Sequence, residues 1–75
     1  MTTGYHSPNA RFADVTDEGL DRIVREFDEW NETGIVQDGA MLRRLSAKFG
    51  SDSAISMMTT ATLAFREIIA RRGLA

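Results

Sequence analysis

SAISMMTTATLAFREIIARR, Ser53 to Arg72, is the stretch whose reading decides the fold. Ile55, Met58, Thr62, Phe65 and Ile69 follow a 3-4-3-4 spacing, and beside them runs a second row of Ala54, Met57, Ala61, Ala64 and Ile68. At about 100° per residue the two rows merge into one apolar arc covering roughly half of a helix circumference. A helix laid on a single partner needs a narrower stripe, so this segment is expected to be a spine covered from two sides. Phe65, Met57 and Met58 are expected in the core, and Thr59 on the solvent side. Leu63, Ala70 and Leu74 fall on the polar side, beside Arg66, and this misplaced row is expected to be a contact seam between two copies of the chain.

Two shorter helices precede the spine. Thr16 is positioned as an N-cap ahead of Asp17 and Glu18, whose negative charges suit a helix start, and Val15 and Leu20 have the spacing of a hydrophobic staple. Leu20, Ile23, Val24, Phe27 and Trp30 then form a stripe about a third of the circumference wide, with Trp30 closing it. The outer face carries Glu18–Arg22, Asp21–Arg25, Arg22–Glu26 and Arg25–Glu29 at i,i+4 spacing, a solvated ladder rather than a catalytic carboxylate cluster. Gly34 stops the helix, with Ile35 placed to fold back on its last turn. Asp38 is the next cap candidate. The second helix is expected from about Gly39 to Phe49, with Met41, Leu42, Leu45 and Phe49 inward and Arg43, Arg44 and Lys48 on or beside the other side. Gly50 ends it, and Ser51 or Ser53 caps the spine after a turn so short that the two helices must be neighbours. Gly73 ends the spine, with Arg71 and Arg72 at its negative end.

Residues 1–14 show no periodicity, and Pro8 interrupts them, so they are expected to be a flexible, extended arm with Tyr5 and Phe12 as its only anchors. The fold class is therefore all-α: a small three-helix domain over residues 15–75, with a long C-terminal spine helix and an N-terminal arm. A chain of 75 residues buries about 60% of its unfolded surface and has a marginal core. Such scaffolds are usually reinforced by disulfides, a metal or a second subunit. With no cysteine, a single histidine (His6, in the arm) and no partner ligands for it, self-association is the reinforcement left. The absence of cysteine, of a secretory leader and of an apolar run of about 20 residues points to a soluble, cytoplasmic protein without a membrane partner.

Charge is divided along the chain. Residues 1–38 carry nine acids against three arginines, a net −6, and residues 39–75 carry six bases against two acids, a net +4. The two halves are expected to attract one another within the fold.

Catalysis is not expected. No thiol is present, the one histidine has no partner, and no glycine-rich phosphate loop occurs, so neither a cofactor nor a metal site is expected. Leu45-Ser46-Ala47-Lys48-Phe49-Gly50 followed by a new helix resembles the first half of a helix-turn-helix, which makes a nucleic-acid-binding regulator over residues 40–60 one alternative, with Arg43, Arg44 and Lys48 as its contacts. The resemblance is degenerate: Ser51 and Ser56 stand where apolar residues belong, and the domain is acidic rather than basic. A structural assembly protein using the opposed charges is a second alternative. The leading expectation is a non-catalytic protein–protein interaction module, a regulator, adaptor or inhibitor, acting through a helical surface as a homodimer and on a further protein.

Overall fold

The computed structural model describes residues 12–73, which fold into three helices: α1 (Asp17–Thr33), α2 (Met41–Phe49) and α3 (Ala54–Arg72). No strand occurs among the described residues. The expected all-α, three-helix architecture with a long last helix is what the chain adopts.

The helix ends follow the local chemistry. Thr16 is extended (φ −71°, ψ 163°) and its hydroxyl accepts the Gly19 N–H at 3.1 Å, capping α1. Gly34 closes α1 in the left-handed conformation (φ 76°), with its N–H donating to Trp30 O at 2.7 Å. Ile35 does not fold back: it is exposed, and its N–H is taken by the Thr33 hydroxyl at 3.1 Å. Ser53, not Ser51, caps α3, accepting the Ser56 N–H at 3.2 Å.

The start of α2 departs from expectation. Asp38 lies in a turn closed by Ala40 N–H donating to Gln37 O at 3.0 Å, and Ala40 occupies the N-cap position without a capping side chain. The missing cap is supplied from another helix. Glu26 of α1 accepts the Leu42 N–H through Oε1 at 2.9 Å, placing a carboxylate at the positive end of α2. The same carboxylate bonds Arg22 at 3.2 Å, so this i,i+4 pair of the α1 ladder also orients a tertiary cap.

Packing uses the inner faces of α1 and α2 as their periodicity indicates. Leu20, Ile23 and Leu42 are fully buried, and Phe27, Trp30, Met41 and Leu45 pack around them half-buried. Phe27 and Trp30 meet edge-on, with ring centroids 5.9 Å apart. The third helix corrects the sequence reading. Its buried side chains are Met57, Thr60, Ala61, Ala64 and Glu67, whereas Ile55, Met58 and Phe65 are 77%, 51% and 53% exposed. Only the Met57–Ala61–Ala64 row enters the core. Small side chains on that row let α1 and α2 approach closely, and the two polar residues beyond it find partners there. The Ser46 hydroxyl donates to Thr60 Oγ1 at 2.9 Å, with both residues buried.

The core also reaches further toward the N-terminus than the pattern indicates. Phe12 was placed in the flexible arm, yet it is 0% exposed, lies in the central cluster and meets Phe49 edge-on at 6.4 Å. Its carbonyl accepts the Val15 N–H at 3.0 Å, folding the chain into α1. Ala13 and Asp14 of the expected arm form an exposed turn, and residues 1–11 lie outside the described residues, as do Leu74 and Ala75. Phe12 was one of the two anchors that the sequence offers for the arm, but without periodic neighbours nothing local says that it enters the central core.

Phe12→Ala should cost on the order of 3–5 kcal/mol and largely unfold the domain in a urea titration. Ile55→Ala, measured in dilute protein, should shift the thermal midpoint by less than the ~4–8 °C that 1 kcal/mol represents at this size. Equal losses from the two would place the core on the other face of α3.

Candidate protein-binding face

The feature that the fold leaves over is the outer row of α3. Ile55, Met58, Thr62 and Phe65 are exposed and Ile69 is half-buried, so the row extends over 15 residues, a rise of about 21 Å along the helix. Thr62 adds no unpaired polar group to it, because its hydroxyl donates to Met58 O at 3.0 Å. Toward α1 the row opens into a shallow groove lined by Val24, Phe65 and Ile68, with Asp21, Arg25 and Arg72 at its rim. Scattered exposed apolar side chains are ordinary, whereas three large ones aligned on one helix, with half-buried Ile69 continuing the line, make this face the candidate binding surface.

One guanidinium holds the C-terminal end of this helix in place. Arg71 Nε donates to Glu67 Oε2 at 2.9 Å, one terminal nitrogen to Asp17 Oδ1 at 2.9 Å, and the other to Phe12 O at 2.8 Å. It thereby ties α3 to the start of α1 and to the segment before it. The bond to Asp17 raises the Arg71 pKa above its ordinary value, with Glu67 adding to the rise against the lowering effect of burial. A raised arginine pKa contributes stability that is complete below its unfolded value and fades only as pH climbs past it, so this tie keeps its cation throughout the usable pH range. Glu67 is fully buried. The sequence reading put Arg71 at the helix dipole and gave Glu67 no role, although their i,i+4 spacing was visible.

The residues expected to form a dimer seam are placed differently. Leu63 is half-buried and packs against the core of its own chain, Ala70 is half-buried, Arg66 is exposed, and Leu74 lies outside the described residues. Leu63 therefore has neighbours within its own chain and is only partly open to a second copy. Met57 and Met58 divide, the first buried and the second exposed.

The nucleic-acid candidates are also drawn inward in part. Arg43 donates to Val36 O at 3.3 Å and lies 3.7 Å from Asp52, and Lys48 sits over the Phe49 ring at 5.7 Å from its centroid. Arg44 is exposed. The serines at the start of α3 bond one another: the Ser51 and Ser53 hydroxyls are 3.2 Å apart, and Ser56 lies 2.9 Å from Ser51. They complete the cap of α3. Among the described residues no group of three His, Asp or Glu side chains is arranged to hold a metal ion, and no helix is long and apolar enough to cross a membrane.

No protein-family model matches the chain, and neither a curated protein nor a solved structure matches it.

Arg71→Met should destabilise the domain by about 3 kcal/mol, because it removes a cation from beside a buried carboxylate. Glu67→Met combined with Arg71→Met should recover part of that loss, giving a favourable coupling energy in a double-mutant cycle from urea titrations. Strictly additive losses would mean that the two side chains act independently.

Proposed function

We propose that this chain is a small, non-catalytic protein–protein interaction module, a regulator, adaptor or inhibitor that acts by docking the outer face of α3 against an apolar helix face. The observation that carries this reading is the exposed row Ile55–Met58–Thr62–Phe65 on α3, a helix that packs against both of the others. A rigid helix presenting spaced apolar anchors loses little conformational freedom on binding, which favours affinity from a small surface. The ties of Arg43 to Val36 O and Asp52 occupy one of the three cations that a phosphate backbone would need, which favours a protein partner.

A photo-cross-linking amino acid at position 62, introduced in the native host, tests the reading. Covalent adducts should form from position 62 and be lost when Ile55 and Phe65 are both changed to Ser, while the same probe at position 44, on α2, should give none above background. Equal adduct yield from both positions, or none from position 62, would overturn the docking face.

A further inference from the structure

We propose that the α3 row is occupied by a second copy of this chain, docked antiparallel across a twofold axis that passes near Thr62. The proposal rests on the docking reading above and names its partner.

The spacing of the row comes first. Ile55, Met58, Thr62, Phe65 and Ile69 occupy the a and d positions of two heptads, the pattern that fills its holes best with the knobs of another such seam. Among the described residues, the rows Leu20–Ile23–Phe27–Trp30 of α1 and Leu42–Leu45–Phe49 of α2 have similar spacing, but they are used inside the fold. A twofold contact uses one patch twice and so supplies the matching seam without a second sequence. At its centre, Thr62 meets the other copy with its hydroxyl already bonded to its own Met58 carbonyl, so closing the seam strands no polar group. Residues 1–11 offer only Met1, Tyr5 and Ala10 beside Pro8 as apolar groups, too few to cover a five-residue row.

Charge then selects the direction. α1 runs past α3 in the opposite sense, since Asp17 at its start bonds Arg71, Asp21 lies 3.5 Å from Arg72, and Val24 shares a groove with Phe65. Asp21, Arg25, Asp28 and Glu32 form one ridge of α1 at i, i+4, i+7 and i+11. Carried along the antiparallel helices, this puts exposed Asp28 and Glu32 beside the first half of the row, with exposed Arg25 and Arg72 beside its second half. Asp21 offsets Arg72 at that second end, so the docking face carries −2 from Asp28 and Glu32 at one end and a net +1 from Arg25, Arg72 and Asp21 at the other. An antiparallel pair sets the Asp28 and Glu32 end of each copy against the Arg25 and Arg72 end of its partner, and also opposes the two helix dipoles. A parallel pair sets like ends level with one another.

The chain has no cysteine, so single cysteines report proximity without background. Purified protein should sediment as a dimer at tens of micromolar. Under mild oxidation Thr62→Cys should give a disulfide-linked dimer, whereas Ile55→Cys and Ile69→Cys should each stay largely uncross-linked alone and cross-link when mixed. Phe65→Glu should shift the wild-type assembly to monomer with helical circular dichroism retained. Should that variant unfold, the cysteine pattern decides by itself. Ile55→Cys linking to itself as readily as Thr62→Cys would overturn the antiparallel arrangement, and a monomeric wild type would overturn self-pairing altogether. A monomer that still gives position-62 adducts with a different protein in the host removes the second copy while leaving the docking reading intact. A monomer without such adducts removes both.

Discussion

Close approach to the small-residue face of α3 is the constraint from which the rest of the structure follows. Ala61 and Ala64 are buried at 4% and 0% exposure, and only side chains of that size let both α1 and α2 lie against one helix. Interior packing tolerates few voids, so a helix rotated to bring Phe65 and Met58 inward would push its neighbours outward by about the thickness of those groups. Seating α3 on its alanines has two consequences. Thr60 and Glu67 turn inward with them and must be satisfied, which Ser46 and Arg71 do. The bulky row turns outward and is left for something else.

That choice explains which parts of the chain were legible in the sequence. The number of helices, the faces of α1 and α2, and the caps at Thr16, Ser53 and Gly34 were readable because each depends on neighbours within a few residues. The orientation of α3 was not. Its apolar arc covers half the circumference, and periodicity alone cannot say which half goes inside when both are apolar. Side-chain size was the missing signal: the row with Ala61 and Ala64 at its middle, Met57–Ala61–Ala64, is the one compatible with two close neighbours. Phe12 and the Glu26 cap of α2 were hidden for a different reason. Both act across long sequence separations, Phe12 on Phe49 and Glu26 on Leu42, and no local pattern marks them. The candidate site inherited the error, because taking Phe65 as core made the half-buried Leu63 look like the unexplained residue.

The division of charge along the sequence also acquires a spatial meaning. Because α1 and α3 run in opposite senses, the acid at the start of α1 meets the arginines at the end of α3, and Asp17–Arg71 and Asp21–Arg72 are formed within the chain. The exposed pair adds little, since surface ion pairs are worth at most about 1 kcal/mol. Arg71 differs in being held by three acceptors, one of them on a fully buried residue. The acids at the far end of α1, Asp28 and Glu32, have no arginine in the last turn of their own helix to answer them. Attraction between the two halves of the sequence is thus satisfied inside the fold at one end only, and the remainder is available to a partner.

Stability and association are then coupled through a single helix. α3 supplies the buried row that holds α1 and α2, and on its other side the row offered to a partner. A domain of this size has a total stability of only several kcal/mol. A partner that covers the outer row therefore raises the apparent stability of the whole domain by mass action, because it binds the folded chain and not the unfolded one. The reverse follows from the same linkage. A loosened inner seam, through Ala64 or the Arg71 tie, lowers the population of the folded helix that the partner recognises, and so weakens binding at a surface that the substitution never touches. The exposed row thus reports on the state of the core beneath it.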